Sequence, residues 1–97
     1  MFIFDLKYIK PLDEVERVLP RHIRFLDEQY EKGKFLASGR KVPRIGGVIL
    51  CVAETREEAK KIKEQDPFFQ ENIAAYEIIE FIPSKMSDAF QKVLVRA

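Results

Sequence analysis

The chain contains one histidine, His22, and any acid–base chemistry near neutral pH turns on it. Imidazole has an unperturbed pKa of about 6.5, so it is the side chain best suited to taking and returning a proton at working pH. At helical spacing His22 falls in the middle of an apolar arc formed by Val15, Val18, Leu19, Phe25 and Leu26. Two readings fit that place. The ring is either a packed core imidazole with both nitrogens satisfied, or a proton shuttle with a buried partner. A partner of the right kind stands at Asp66, in the run Asp66-Pro67-Phe68. Asp before Pro is also an ordinary helix start, with Asp as cap and Pro in the first helical position. The two roles are compatible. One carboxylate oxygen can cap while the other accepts from the histidine and orients its ring.

Other groups could complete a site. Ala37-Ser38-Gly39 places a hydroxyl beside a residue with no side chain, where a ligand or another backbone can approach closely. A strand end turning into a loop explains the same three residues. Arg21, Arg40 and Arg44 could bind an acidic substrate, or be solvated surface residues. Cys51 lies in the apolar run Val48 to Ala53, which suits an inert buried thiol better than a nucleophile. One His, one Cys and scattered carboxylates show no ligand spacing, and there is no P-loop and no GxGxxG, so neither a metal nor a cofactor is expected.

These residues need elements to hold them. Phe2 to Ile9 alternates as a strand, and Pro11 ends it. Asp13 with Glu16 reads as a capping box opening a helix to about Lys32, with Gly33 in the left-handed position that stops it. Val15, Val18, Leu19, His22, Phe25, Leu26 and Tyr30 form its inward stripe. Pro20 inside this span implies a kink or a late start. Phe35 to Val42 and Val48 to Ala53 read as a hairpin closed by the turn Pro43 to Gly47. The second of these strands is apolar throughout, as in a central strand buried on both faces. Thr55 with Glu58 caps a helix to about Gln65, a short turn follows Asp66, and Ile73 to Ile82 is the last strand. Met86 to Val95 fits a C-terminal helix with Met86, Phe90, Val93 and Leu94 on one side.

The order is βαββαβ with a C-terminal helix, a ferredoxin-like α+β fold in one domain over residues 1–97. At 46% apolar and 34% charged residues the composition is that of a folded domain rather than a disordered one. The net charge of +1 is spread along the chain, without the basic stripe that a nucleic acid requires. No segment approaches a membrane span, and the alternating N-terminus carries Asp5 and Lys7 where an export signal would be apolar. A lone cysteine supports no disulfide framework. A cytoplasmic protein is the expectation. Both faces of the sheet read as apolar: Ile73, Ala75, Ile79 and Phe81 against Ala74, Tyr76, Ile78 and Ile82 on the last strand. Two helices cover one face, so the pattern implies a homodimer packed sheet to sheet.

Three segments carry a resemblance. Leu19-Pro20-Arg21-His22, the run from Tyr30 through Glu31-Lys32-Gly33-Lys34-Phe35-Leu36-Ala37 to Ser38-Gly39, and Asp66-Pro67-Phe68 resemble the YCII-related proteins in order and spacing, from the first strand to about Ile82. The resemblance implies a dimeric α+β barrel. It also implies a His–Asp pair in a cleft between helices and sheet, here His22 and Asp66, with Ser38 and Gly39 nearby. Relatives with related barrels include isomerase- and dehydrochlorinase-type proteins of aromatic breakdown. The chain departs from the family pattern at Arg40, where a proline is common, and in a short hairpin. Arg40 would favour an anionic ligand. The expected activity is acid–base chemistry by His22 and Asp66 on a small anionic organic compound, of isomerase, lyase or hydrolase type. The alternative is a dimeric module that binds or senses a small ligand without transforming it, and a purely structural dimerisation domain is a third reading.

Overall fold

A computed structural model of the chain describes residues 1–96. Its elements are β1 (Phe2–Tyr8), α1 (Leu12–Glu31), β2 (Phe35–Arg40), β3 (Gly46–Cys51), α2 (Arg56–Glu64), α3 (Pro67–Gln70), β4 (Ala74–Glu80) and α4 (Asp88–Arg96). The four strands form one antiparallel sheet in the order β2-β3-β1-β4. This is the ferredoxin-like arrangement the element order implied. Helices α1, α2 and α3 lie on one face of it.

The core sits between that face and the helices. Phe2, Phe4 and Leu6 of β1 point into it, as their period of two requires, together with Ile49 and Cys51 of β3 and Ala74 of β4. From α1 come Val15, Val18 and Phe25; from α2, Ala59 and Ile62; from α3, Phe68. The stripe on α1 also carries Gln29, seven residues after His22 and fully buried, where its amide donates to Gln65 Oε1 at 3.3 Å. Tyr30, expected on the inward stripe, lies at its edge and is 38% exposed.

Helix α1 departs from expectation at its start. Pro11, not Asp13, is the cap: its carbonyl accepts from Glu14 N at 3.0 Å and Val15 N at 3.2 Å, and no side chain caps the helix. Asp13 lies inside the first turn, where its charge complements the helix dipole. The helix then runs through Pro20 without a late start. Pro20 and Glu16, whose carbonyl it leaves without an intrahelical donor, are both exposed, so water can take that place. Gly33 ends the helix at φ +74°. Thr55 caps α2 as expected, accepting from Glu58 N at 3.1 Å, but the Glu58 carboxylate accepts from Glu54 N rather than from Thr55 N.

A β-bulge between Phe35 and Ala37 sets the face of β2. Phe35 pairs with Cys51 and points into the core, then the extra residue reverses the alternation. Ser38, opposite Ile49, and Arg40, opposite Gly47, therefore turn toward the helices, while Gly39, opposite Val48, turns away.

The outer face of the sheet is uncovered within the chain. Val48 and Ile79 are each 41% exposed and Phe81 39%. β3 is central as expected, but it is buried on its helix face only. Helix α4 starts at Asp88 and, among the described residues, packs closely on no other element; Met86 and Val93 are exposed, while Phe90 and Leu94 are half-buried.

Candidate active site

Asp66 begins α3, and its place follows from the Asp-Pro pair. Pro67 fits the first helical position, and Asp66 caps the turn, accepting from Phe68 N at 2.9 Å through Oδ1. The residue is completely buried. The short helix packs against α1, which brings Asp66 under His22. His22 Nδ1 lies 2.7 Å from the same oxygen, Oδ1. A carboxylate only accepts, so Nδ1 carries the hydrogen and donates it. The expectation that the cap and the histidine would use separate oxygens is corrected: Oδ1 accepts both. Oδ2 accepts instead from the hydroxyl of Tyr76 on β4.

Phe68 contributes more than its backbone. Its ring stacks on the His22 imidazole with centroids 3.9 Å apart and planes within 7°. Tyr8 meets the Phe68 ring edge-on at 6.1 Å. The imidazole is thus fixed in plane by stacking and in rotation by Asp66. Its other nitrogen, Nε2, has no hydrogen-bond partner among the described residues.

A cleft of about 240 Å³ opens beside this ring, between α1 and the sheet, and its lining includes Tyr8, His22, Ile23, Ser38, Arg40 and Phe68. Ser38 Oγ lies 2.7 Å from the Tyr30 hydroxyl, which ties β2 to α1 at the mouth. Gly39 lines the cleft with its backbone alone. A Cβ there would meet nothing within 4 Å, so the close approach expected at Gly39 is not made within the chain. The tight position is Gly46, where a Cβ would stand 1.8 Å from the Leu6 carbonyl oxygen.

The three arginines separate cleanly. Arg21 pairs with Glu71, which also holds Arg17 at 3.2 Å. Arg44 pairs with Glu16 at 2.9 Å. Arg40 has no ion pair among the described residues and lies on the cleft. Cys51 is away from the imidazole, among the core side chains, and burial pushes its thiol up to about 12. Burial likewise pushes the Tyr76 phenol far above its ordinary value, and the charge and hydrogen bond of Asp66 add to the effect. Tyr76 is therefore a neutral donor. Among the described residues no three His, Cys, Asp or Glu side chains converge as metal ligands, and no helix is long and apolar enough to cross a membrane.

The sequence pointed to His22, Asp66, Ser38, Gly39 and Arg40; the fold places four of them on one cleft, with Asp66 buried against His22. It missed Tyr76 and the stacking role of Phe68. A signal for Tyr76 existed: a tyrosine on the inward face of a strand needs a partner for its hydroxyl.

Residues 1–82 match the family model of the YCII-related domain. The chain belongs to the YCII-related family. The match ends before α4. No curated protein matches the chain. Among solved structures, 5-chloro-2-hydroxyhydroquinone dehydrochlorinase (TftG) from Burkholderia phenoliruptrix AC1100, in complex with 2,5-dihydroxybenzoquinone, is similar with a TM-score of 0.70 and 18% identity. The likeness covers 84% of this chain and 94% of that one. At that identity it establishes the fold alone, a small α+β architecture.

Proposed function

We propose that this YCII-related chain is a small-molecule enzyme in which His22 moves a proton at Nε2. Asp66 holds the ring, and Arg40 attracts a small, planar, anionic substrate into the cleft. The observation that carries the reading is the arrangement of the imidazole: one nitrogen tied to a buried carboxylate, the ring stacked on Phe68, and the other nitrogen free beside a cleft. A general base needs its orientation fixed and its reactive atom open, and this ring has both. The cleft, at about 240 Å³, is smaller than the roughly 300–1,000 Å³ of drug-sized sites, which favours a single ring or a short acid. Lining by Leu6, Leu19, Ile23 and Leu26 favours a flat apolar body, and Arg40 an acidic substituent. That a fold neighbour is a dehydrochlorinase, solved with a dihydroxybenzoquinone, supports ring chemistry of this class.

Proton abstraction, isomerisation and elimination suit this equipment, because none needs a nucleophile, a metal or a cofactor. In an elimination, the proton would pass to Nε2, its bonding pair would form the new double bond, and the leaving group would depart with its own pair. Asp66 would stabilise the imidazolium formed. The chemistry is of lyase or isomerase type, and hydrolysis would use the same base on a water. The proposal includes a second copy of the chain on the outer sheet face, where Val48, Ile79 and Phe81 are half-exposed.

A screen of small hydroxylated and carboxylated cyclic acids tests the reading. On a substrate so found, His22→Gln should lower kcat by roughly 10²–10⁴-fold, the usual contribution of a general acid–base. Arg40→Gln should raise KM more than it lowers kcat. Turnover retained by His22→Gln would remove the mechanism. Saturable binding of such acids without any product would make the chain a ligand-binding module instead.

A further inference from the structure

We propose that Tyr76 is a positioning residue that sets how strongly Asp66 holds the His22 imidazolium. The inference rests on the reading of His22 and Asp66 as a working pair.

Tyr76 stands on β4 opposite Leu6 of β1, on the face that packs against the helices. Its ring is held at one side by Phe4, edge-on at 5.7 Å, and at the other by Phe69, edge-on at 6.1 Å. These contacts leave the hydroxyl at Asp66 Oδ2. The carboxylate then has three donors: Phe68 N–H and His22 Nδ1–H on Oδ1, and the Tyr76 hydroxyl on Oδ2. Asp66 is fully buried, so water does not replace any of them. Two of the three donors, the amide and the phenol, are neutral and fixed, and they share the charge that would otherwise act on the imidazole alone. A carboxylate with good donors is a weaker base and a weaker partner for a neighbouring cation. Tyr76 therefore tempers the pair, so that the ring can release its proton as well as take it. Its phenol stays protonated because burial and the Asp66 charge oppose its ionisation.

The other charged and titratable groups around the pair are accounted for. On α1, Arg17 and Arg21 are tied to Glu71, just after α3. Arg40 of β2 and Tyr8 of β1 share the cleft with the ring. Cys51 of β3 is a buried neutral thiol.

The test is an NMR titration of the single histidine ring in wild type, Asp66→Asn and Tyr76→Phe. The expected result is a shift of opposite sign in the two variants. Asp66→Asn removes the charge and should lower the His22 midpoint. Tyr76→Phe leaves the charge with one donor fewer and should raise the midpoint. A Tyr76→Phe curve that superimposes on wild type, or moves downward, overturns the proposal while the pair stands if Asp66→Asn shifts. No shift in Asp66→Asn overturns the pair itself, and this inference with it. If Tyr76→Phe does not fold, 3-fluorotyrosine placed at position 76 strengthens the donor without removing it. It should lower the midpoint, and an unchanged midpoint there overturns the proposal equally.

Discussion

At the scale of the residue, the site is a set of buried polar atoms that satisfy one another. Asp66 is a helix cap by sequence and a histidine partner by tertiary contact, and one oxygen accepts both bonds. A histidine in the middle of an apolar arc was a legible anomaly, because burying a titratable ring without a partner is unfavourable. Which oxygen it would use, and that Tyr76 would take the other, depended on distances between α1, α3 and β4 that no local pattern encodes. Cys51 gives a second test at this scale. Its thiol is fully buried and pushed up to about 12. A raised folded value means that burying the neutral thiol stabilises the fold fully below the unfolded thiol's pKa, about 8.5, and that this contribution is lost as pH rises toward about 12. Being the single cysteine, it reports without ambiguity. At pH 8 a thiol-specific reagent should leave the native chain unmodified and label it only as denaturant unfolds it. Rapid labelling in native buffer would contradict the buried placement.

At the scale of the element, types are more legible than edges. Alternation in β1 and the stripe on α1, Tyr30 apart, show in the sequence because both periods come directly from backbone geometry. The start of α1 does not, because the Pro11 carbonyl takes the first helical bonds, a backbone event with no side-chain signature. The bulge in β2 was not legible either, and it matters most for the site. Simple alternation from Phe35 would aim Ala37 and Gly39 at the helices, whereas the bulge aims Ser38 and Arg40 there. The hairpin that follows depends on Gly46. A Cβ at that position would overlap the Leu6 carbonyl, which is backbone and cannot move aside without opening the β1–β3 pairing. Gly46→Ala should therefore destabilise by more than the roughly 1–3 kcal/mol usual for overpacking. Gly39→Ala, which meets open space, should be tolerated. Urea denaturation of the two variants checks the contrast, and equal stability would contradict the register.

At the scale of the whole molecule, the chain exposes more than its mass requires. Its accessible surface is 6359 Å², where a compact monomer of 11.4 kDa would show about 5,800 Å². The excess fits an elongated body, 41 × 25 × 20 Å, with α4 lying apart from the other elements. The outer face mixes apolar side chains, Val48, Leu50 and Ile79 among them, with Asp5, Lys7 and Glu77, and its apolar share was legible in the sequence as more than one layer of helices covers. What covers it was not, because a partner leaves no local signal. A second copy is our proposal for that face. Sedimentation at micromolar concentration should then give twice the 11.4 kDa chain mass, and Ile79→Asp should give the monomer. A wild-type monomer under those conditions would contradict it.

In the proposed site Asp66 holds His22 with Nδ1 protonated and Nε2 free. The ¹⁵N chemical shifts of the His22 ring nitrogens in the neutral state test this first. Wild type should show the Nδ1–H form, the less common one for free imidazole side chains, and Asp66→Asn should lose it. A wild-type ring protonated at Nε2, or a form unchanged by Asp66→Asn, would contradict it.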